Sequence, residues 1–194
     1  LSPAALTYFD RGIDYQISKI KAVDLITPDR FDLGVKAFFY NSYTSGKQFS
    51  YFRDLYKAHL AVWNGFFEGS PAKFGADDYT NSFMRLSDNA AQLNFDEIIF
   101  PIDNSGTLID GAHRVSIAAA QGREVRVVVS TRKANSYDYR FFQECATNLP
   151  NEVAELLIDQ MAYYNALFKP SVRTICIMPA TQSRFTQEIE AAII

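Results

Sequence analysis

The sequence predicts a mixed α/β (α+β) fold: a small mixed sheet with flanking helices and a long helical insertion between its first and second strands. Two observations predict it. Ile98, Ile99, Phe100 and Ile102 form a short apolar run, Val125, Val127, Val128 and Val129 form another, and the Ala-rich stretch 115–120 between them is that of a helix packed on a sheet. From about 31 to 95, apolar residues recur instead at helical spacing.

Residues 1–20 are amphipathic and predicted to be partly helical. Ala22, Val23, Leu25 and Ile26 then give a short first strand, ended by Thr27 and Pro28. In 31–43, Phe31, Val35, Phe38 and Phe39 share a helical face, and Asp32 and Lys36 stand at i,i+4 on the other. That pair reads either as a surface ion pair or, with Arg30, as the lining of a ligand cleft. From 51 to 69 a helix carries Tyr51, Phe52, Leu55, Tyr56, Leu60, Trp63, Phe66 and Phe67 on a broad core face. His59 and Asn64 belong to it, His59 reading either as a structural histidine or as a cleft residue. Glu68, placed at the helix end before Gly69, Ser70 and Pro71, is a candidate proton acceptor for a substrate hydroxyl. A polar loop with Lys73, Asp77 and Asp78 leads into a helix over 79–93, and the two aspartates read as helix-start residues in preference to a cation site.

The second strand spans 98–102, with a tight turn at Asn104, Ser105 and Gly106 and a returning strand at Thr107, Leu108 and Ile109. After the strand 125–129 come a polar loop over 130–139, where Arg132 and Lys133 could close over a diphosphate, and a helix over 151–168. A late strand at 172–178 stops at Pro179. The chain begins with Leu1 and its last amphipathic pattern, 185–194, breaks off unfinished, so it is expected to be a single domain over 1–194 cut from a larger multidomain protein. The core is expected at about 20–30 and 96–180, and the insertion at about 31–95.

Asp110, Gly111, Ala112, His113 and Arg114 sit where the returning strand gives way to the helix. Gly111 permits a backbone conformation closed to other residues, and the helix start offers unbonded N–H groups and a positive dipole end beside His113 and Arg114. An anion there would meet backbone donors, a fixed cation and a titratable ring. The plainer alternative is a capped turn with Asp110 as N-cap.

These five residues, followed by Ala118, Ala119, Ala120 and Gly122, resemble the Asp-Gly-x-His-Arg motif of the ParB/sulfiredoxin-like fold over about 98–130. The resemblance implies that Gly111, Ala112, His113 and Arg114 hold nucleotide phosphates, as in the ATP-using, kinase and nucleotide-binding members of that superfamily. Sulfiredoxin chemistry needs a cysteine where this chain has Ala112, which excludes the reductase. A second resemblance, carried by Ile26 to Asp32 with Lys36, Tyr40, Tyr56, His59, Asn64, Glu68 and the Asp110 to Arg114 segment, is to domains that accompany glycosyltransferase or methyltransferase modules of surface-polysaccharide synthesis.

Together these imply a nucleotide-dependent transferase in glycan biosynthesis. The expected reaction is glycosyl transfer from a nucleotide-sugar donor to a glycan acceptor hydroxyl, with the turn binding the diphosphate. Asp110, Glu68 and His113 are the catalytic candidates. Arg30 and Lys36 join the motif in phosphate binding, and Asp32, His59, Asn64 and Lys73 are substrate-cleft candidates. Mg²⁺ or Mn²⁺ could assist the donor, but no metal motif indicates either. The alternatives are an ATP/ADP-dependent kinase acting on a sugar or other small molecule, and a non-catalytic nucleotide-binding or nucleic-acid-associated module.

With 194 residues, 48% of them hydrophobic, the chain can bury a sizeable core. A net charge of −3 argues against a general nucleic-acid surface, since phosphate-backbone affinity comes from accumulated Lys and Arg. Cys145 and Cys176 have no paired spacing for zinc or redox work. No apolar run is long enough for a membrane span, so the domain is expected to be soluble and cytoplasmic.

Overall fold

The computed structural model describes residues 1–69 and 72–168, the side chains of 67–69 and 72 excepted. The strand expected at 172–178, Cys176 and the pattern 185–194 lie outside the described residues. The fold is α+β, built on a three-stranded mixed sheet.

The N-terminal stretch forms one short helix, α1 (Pro3–Leu6), and then strand β1 (Ile17–Lys21). Residues expected to be the first strand instead form a 3-10 turn, Ala22–Leu25, so the strand lies five residues earlier than the apolar run predicted. The reason is burial. Ala22, Leu25 and Ile26 point into the core from a turn, whereas β1 is an edge strand with mostly exposed side chains.

Helices α2 (Phe31–Ser45) and α3 (Phe49–Asn64) open the insertion, which continues as a short hairpin of β2 (Phe67–Gly69) and β3 (Ala72–Phe74) and as α4 (Gly75–Asp88). The hairpin was not expected. Asn64 and Gly65 explain it: Gly65 takes a left-handed conformation (φ 60°), and the Asn64 side chain accepts from Phe66 N–H at 3.1 Å. Those two residues end the helix where the aromatic spacing alone would continue it. Asp78 accepts from Phe74 N–H at 3.0 Å, and Asp77 pairs with Lys57 at 2.9 Å, so both aspartates serve the start of α4.

The sheet is completed by β4 (Ile99–Ile102) and β5 (Glu124–Val129), joined by α5 (Ala112–Ala120). Its order is β1-β5-β4, with β5 antiparallel to β1 and parallel to β4. The returning strand at 107–109 reduces to one bridge between Ile102 and Leu108. Helices α6 (Tyr139–Cys145) and α7 (Asn151–Leu167) close the described chain.

Phe100, Val125 and Val127 turn one sheet face toward α5, whose Val115, Ile117, Ala118 and Ala119 are buried between sheet and insertion. Ser116 Oγ donates to Leu33 O at 3.1 Å, fastening α5 to α2. On its far side α2 meets α7 so closely that a Cβ at Gly34 would stand 2.5 Å from Asn165 Cα. The Asn165 amide bridges that contact, accepting from Gly34 N–H and donating to Thr27 O.

Candidate functional site

Helix α5 starts without a side-chain cap. Its N-cap is Gly111, at φ 91°, and Val115 N–H makes the first helical bond, to Gly111 O at 3.0 Å. The N–H groups of Ala112, His113 and Arg114 therefore precede any intrahelical acceptor. Asp110 stands one residue before the cap, its Oδ1 accepting from Gly111 N–H at 2.6 Å, which corrects its reading as N-cap. Glycine is required at 111 for two reasons: the positive φ, and a Cβ there would lie 2.7 Å from Phe100 Cδ1.

Asp110, Gly111 and Arg114 line a cleft of about 420 Å³, with Glu97 and β4 forming its other wall. Among the described residues the Arg114 guanidinium has no hydrogen-bond or ion-pair partner, and neither has Asp110 Oδ2. A half-buried cation, oriented backbone N–H groups and a carboxylate thus border one volume. This is an arrangement suited to an anion that also carries a hydroxyl or a transferable group.

His113 does not join them. Its ring packs edge-on against Phe83 at 4.7 Å between centroids, and Nε2 shares a 2.9 Å hydrogen bond with the Tyr56 hydroxyl. It faces a different cleft, of about 360 Å³, together with Lys73, Tyr79 and Arg85. Burial, reinforced by the Lys36 and Lys73 charges, pushes His113 well below its usual range, so the ring is neutral at pH 7. The expectation that Asp110, His113 and Arg114 converge on one ligand is corrected accordingly. The helical twist sends successive side chains of the motif to opposite sides of α5.

Arg30, Asp32 and Lys36 are also placed differently from either expectation. They are 3%, 4% and 1% exposed and line neither cleft, so they are neither a surface pair nor a phosphate cradle. Arg30 grips Asp32 with two bonds, Nε to Oδ1 at 2.8 Å and Nη2 to Oδ2 at 2.9 Å, and Lys36 Nζ reaches Oδ2 at 2.5 Å. Burial opposes the charge on Asp32, but Arg30 and Lys36 together hold its carboxyl far below the usual carboxylate range. The Arg30 guanidinium also donates to Leu108 O and stacks on Tyr137, at 5.1 Å to the ring centroid. The triad thereby anchors the segment that runs into Asp110, and its part in the site is positional.

His59 is fully buried, with Nδ1 at 2.5 Å from Tyr56 O and no partner for Nε2 among the described residues. Desolvation and the Lys36 charge lower it to about 3, which makes it a neutral core residue. Asn64 is occupied in the α3 end and in a 2.9 Å bond to the Tyr79 hydroxyl. Glu68 lies on β2 opposite Lys73 of β3, not at a helix end, and its side chain is outside the described residues. The Lys73 ammonium sits over the Tyr79 ring at 5.2 Å. Arg132, expected near a diphosphate, instead donates to Thr7 O and pairs with Asp10 at 2.7 Å.

Sequence reasoning passed over three residues. Tyr56 was read as core and as part of the second resemblance but not as a partner of His113, which it orients. Glu97 lines the Arg114 cleft without a side-chain partner among the described residues. Asp103, 3% exposed, holds the loop before the motif: Oδ1 accepts from Ser105 N–H and Oγ and from Thr107 N–H, and Oδ2 from Ala134 N–H. Its signal was present as an Asp two residues before a Ser in a turn. Burial alone would raise its carboxyl, but these bonds hold it below the usual carboxylate range.

Among the described residues no group of three His, Cys, Asp or Glu side chains is placed to hold a metal ion, and no helix is long and apolar enough to cross a membrane. Fold and site define an α+β domain whose polar cleft opens at the start of the helix joining two parallel strands. Compared with protein-family models, curated proteins and solved structures, the chain gives no match.

Proposed function

We propose that this domain is a nucleotide-dependent transferase of glycan biosynthesis that moves a sugar from a nucleotide-sugar donor to a glycan hydroxyl. The observation that supports this best is the meeting of Arg114, the uncapped start of α5 and Asp110 on one cleft. The donor diphosphate binds the α5 N–H groups and Arg114. As the bond from the anomeric carbon to the diphosphate oxygen breaks, the charge that accumulates on the leaving group is neutralised where it forms. Asp110 accepts the proton of the acceptor hydroxyl, whose oxygen forms the new bond. His113, neutral and held by Tyr56, positions the helix start and does not carry charge to the phosphates. Glu68 remains a second acid for the acceptor side, and Mg²⁺ or Mn²⁺ would share the diphosphate charge if bound. A cytoplasmic reaction is part of this proposal. Linked glycosyltransferase or methyltransferase modules fit the same chemistry.

Phosphoryl transfer from ATP or ADP to a sugar hydroxyl is the second reading. It is favoured by the placement of Asp110 directly against the phosphate site, where a base for an attacking hydroxyl belongs.

A thermal-shift and calorimetric panel of UDP-, GDP- and dTDP-sugars, ADP and ATP, each with and without Mg²⁺ or Mn²⁺, tests both. Stabilisation by one nucleotide sugar and its diphosphate, lost in Arg114→Ala, is expected. Stabilisation confined to adenine nucleotides with Mg²⁺ selects the kinase, and no binding by any of them sinks both readings.

A further inference from the structure

The face of the sheet turned away from α5 carries a cleft of about 740 Å³ between residues 1–15 and the strands. Ile17, Ile99 and Val128 form its floor from three adjacent strands. Phe9 and Tyr15, edge to face at 4.9 Å, stand in its wall. That wall is fixed. Ser130 Oγ donates to Tyr8 O at 2.5 Å, Arg132 holds Thr7 O and Asp10, and Tyr15 accepts from Asp10 N–H. Leu1, Glu97 and Ile99 line both this groove and the Arg114 cleft, so the two volumes adjoin.

Across the two adjoining clefts the chemistry changes in a definite order. Backbone N–H groups and Arg114 come first, then Glu97, exposed and without a side-chain partner among the described residues, then an aliphatic and aromatic trough. Cationic donors suit a diphosphate. A carboxylate, which only accepts hydrogen bonds, suits a vicinal diol and repels phosphate. The apolar trough with two aromatic rings suits the faces of a flat heterocycle.

We infer that the ligand class of this site is a ribonucleoside diphosphate: Arg114 and the start of α5 take the diphosphate, Glu97 the ribose hydroxyls, and the Phe9/Tyr15 groove the base. The inference rests on the proposed phosphate site and adds to it the half of the ligand that the Asp110 to Arg114 turn does not touch. It also assigns the N-terminal segment, which the transfer chemistry does not use, to nucleotide recognition.

Calorimetric titration of inorganic pyrophosphate, UDP, ADP, GDP and their 2′-deoxy forms separates the two claims. At least one ribonucleoside diphosphate should bind about tenfold or more tighter than pyrophosphate, and tighter than its 2′-deoxy form, because the nucleoside adds diol hydrogen bonds and apolar contact. Glu97→Ala should remove the ribose preference without weakening pyrophosphate binding. Ile17→Glu, at an exposed edge-strand position in the groove floor, should weaken the nucleotide but not pyrophosphate. Equal affinities for pyrophosphate and every nucleotide, lost together in Arg114→Ala, would overturn the inference while the phosphate site stood. Failure of wild-type protein to bind pyrophosphate or any nucleotide would overturn the functional reading and the inference with it.

Discussion

The Tyr56 hydroxyl and Nε2 of His113 meet at 2.9 Å, joining the middle of α3 to the first turn of α5 across 57 positions of sequence. The helical insertion meets His113 here and at the Phe83 ring. Tyr56→Phe removes the hydrogen bond and leaves a ring nitrogen without a partner among Phe83 and its neighbours. The expected cost is about 1–2 kcal/mol, read from the urea midpoint at unchanged slope. A functional coupling would show as a matching loss of pyrophosphate affinity. Unchanged affinity with lowered stability would confine Tyr56 to the core.

Gly111→Ala tests the geometry of the turn itself. The substitution forces a side chain into a left-handed conformation at φ 91° and drives its Cβ against the Phe100 ring. Each effect costs about 1–2 kcal/mol. Phe100→Leu in the same chain should recover part of the packing cost and none of the backbone cost. Strict additivity of the two changes in a double-mutant cycle would show that the contact carries no strain.

The buried triad predicts an asymmetry. Asp32→Asn strands Arg30 in the core without the carboxylate it grips and takes from Lys36 its ion pair with Asp32, and should destabilise by about 3–5 kcal/mol. Lys36→Met removes a charge but keeps both Arg30 bonds to Asp32 and most of the aliphatic volume, so its cost should be clearly smaller. Equal losses in the two variants would mean that Asp32 is not the hub.

How far the sequence disclosed this arrangement depends on the range of the interaction concerned. Turn chemistry and helix spacing are local, which is why α2, α5, α7 and strands β4 and β5 stand close to where their patterns placed them. The mixed sheet followed from the same local signals. The insertion between its strands was legible too, though the β2/β3 hairpin inside it was hidden because its strands are three residues each. Burial of Arg30, Asp32 and Lys36 was not legible. An i,i+4 pair looks alike on a wet and a dry helix face, and it is the later-placed Trp63, Tyr137 and Leu108, set against Lys36 and Arg30, that help make this one dry. For the motif, the residue types were conspicuous but their division between two clefts was not, because that depends on which of its flanks α5 presents to Phe83.

Acid should destabilise the protein through its histidines before its carboxylates. His59 is held neutral in the fold, titrating at about 3 where an unfolded histidine titrates near 6.5. Below 6.5 the unfolded chain therefore binds a proton that the folded chain refuses, and the stability this residue contributes, fully present above 6.5, is lost as pH falls toward 3. Within that window one such group gives a slope of up to about 1.4 kcal/mol per pH unit, and His113, displaced in the same direction, adds to it. Asp32 and Asp103 are displaced downward as well, so their contributions persist until the pH falls below the ordinary carboxylate range. Urea unfolding between pH 7 and 4.5 should thus show a falling free energy, and His59→Leu should reduce the slope by one proton's worth even if it changes stability at pH 7. A slope in that variant identical to the wild type would mean that His59 is not the proton-excluding group the fold makes it.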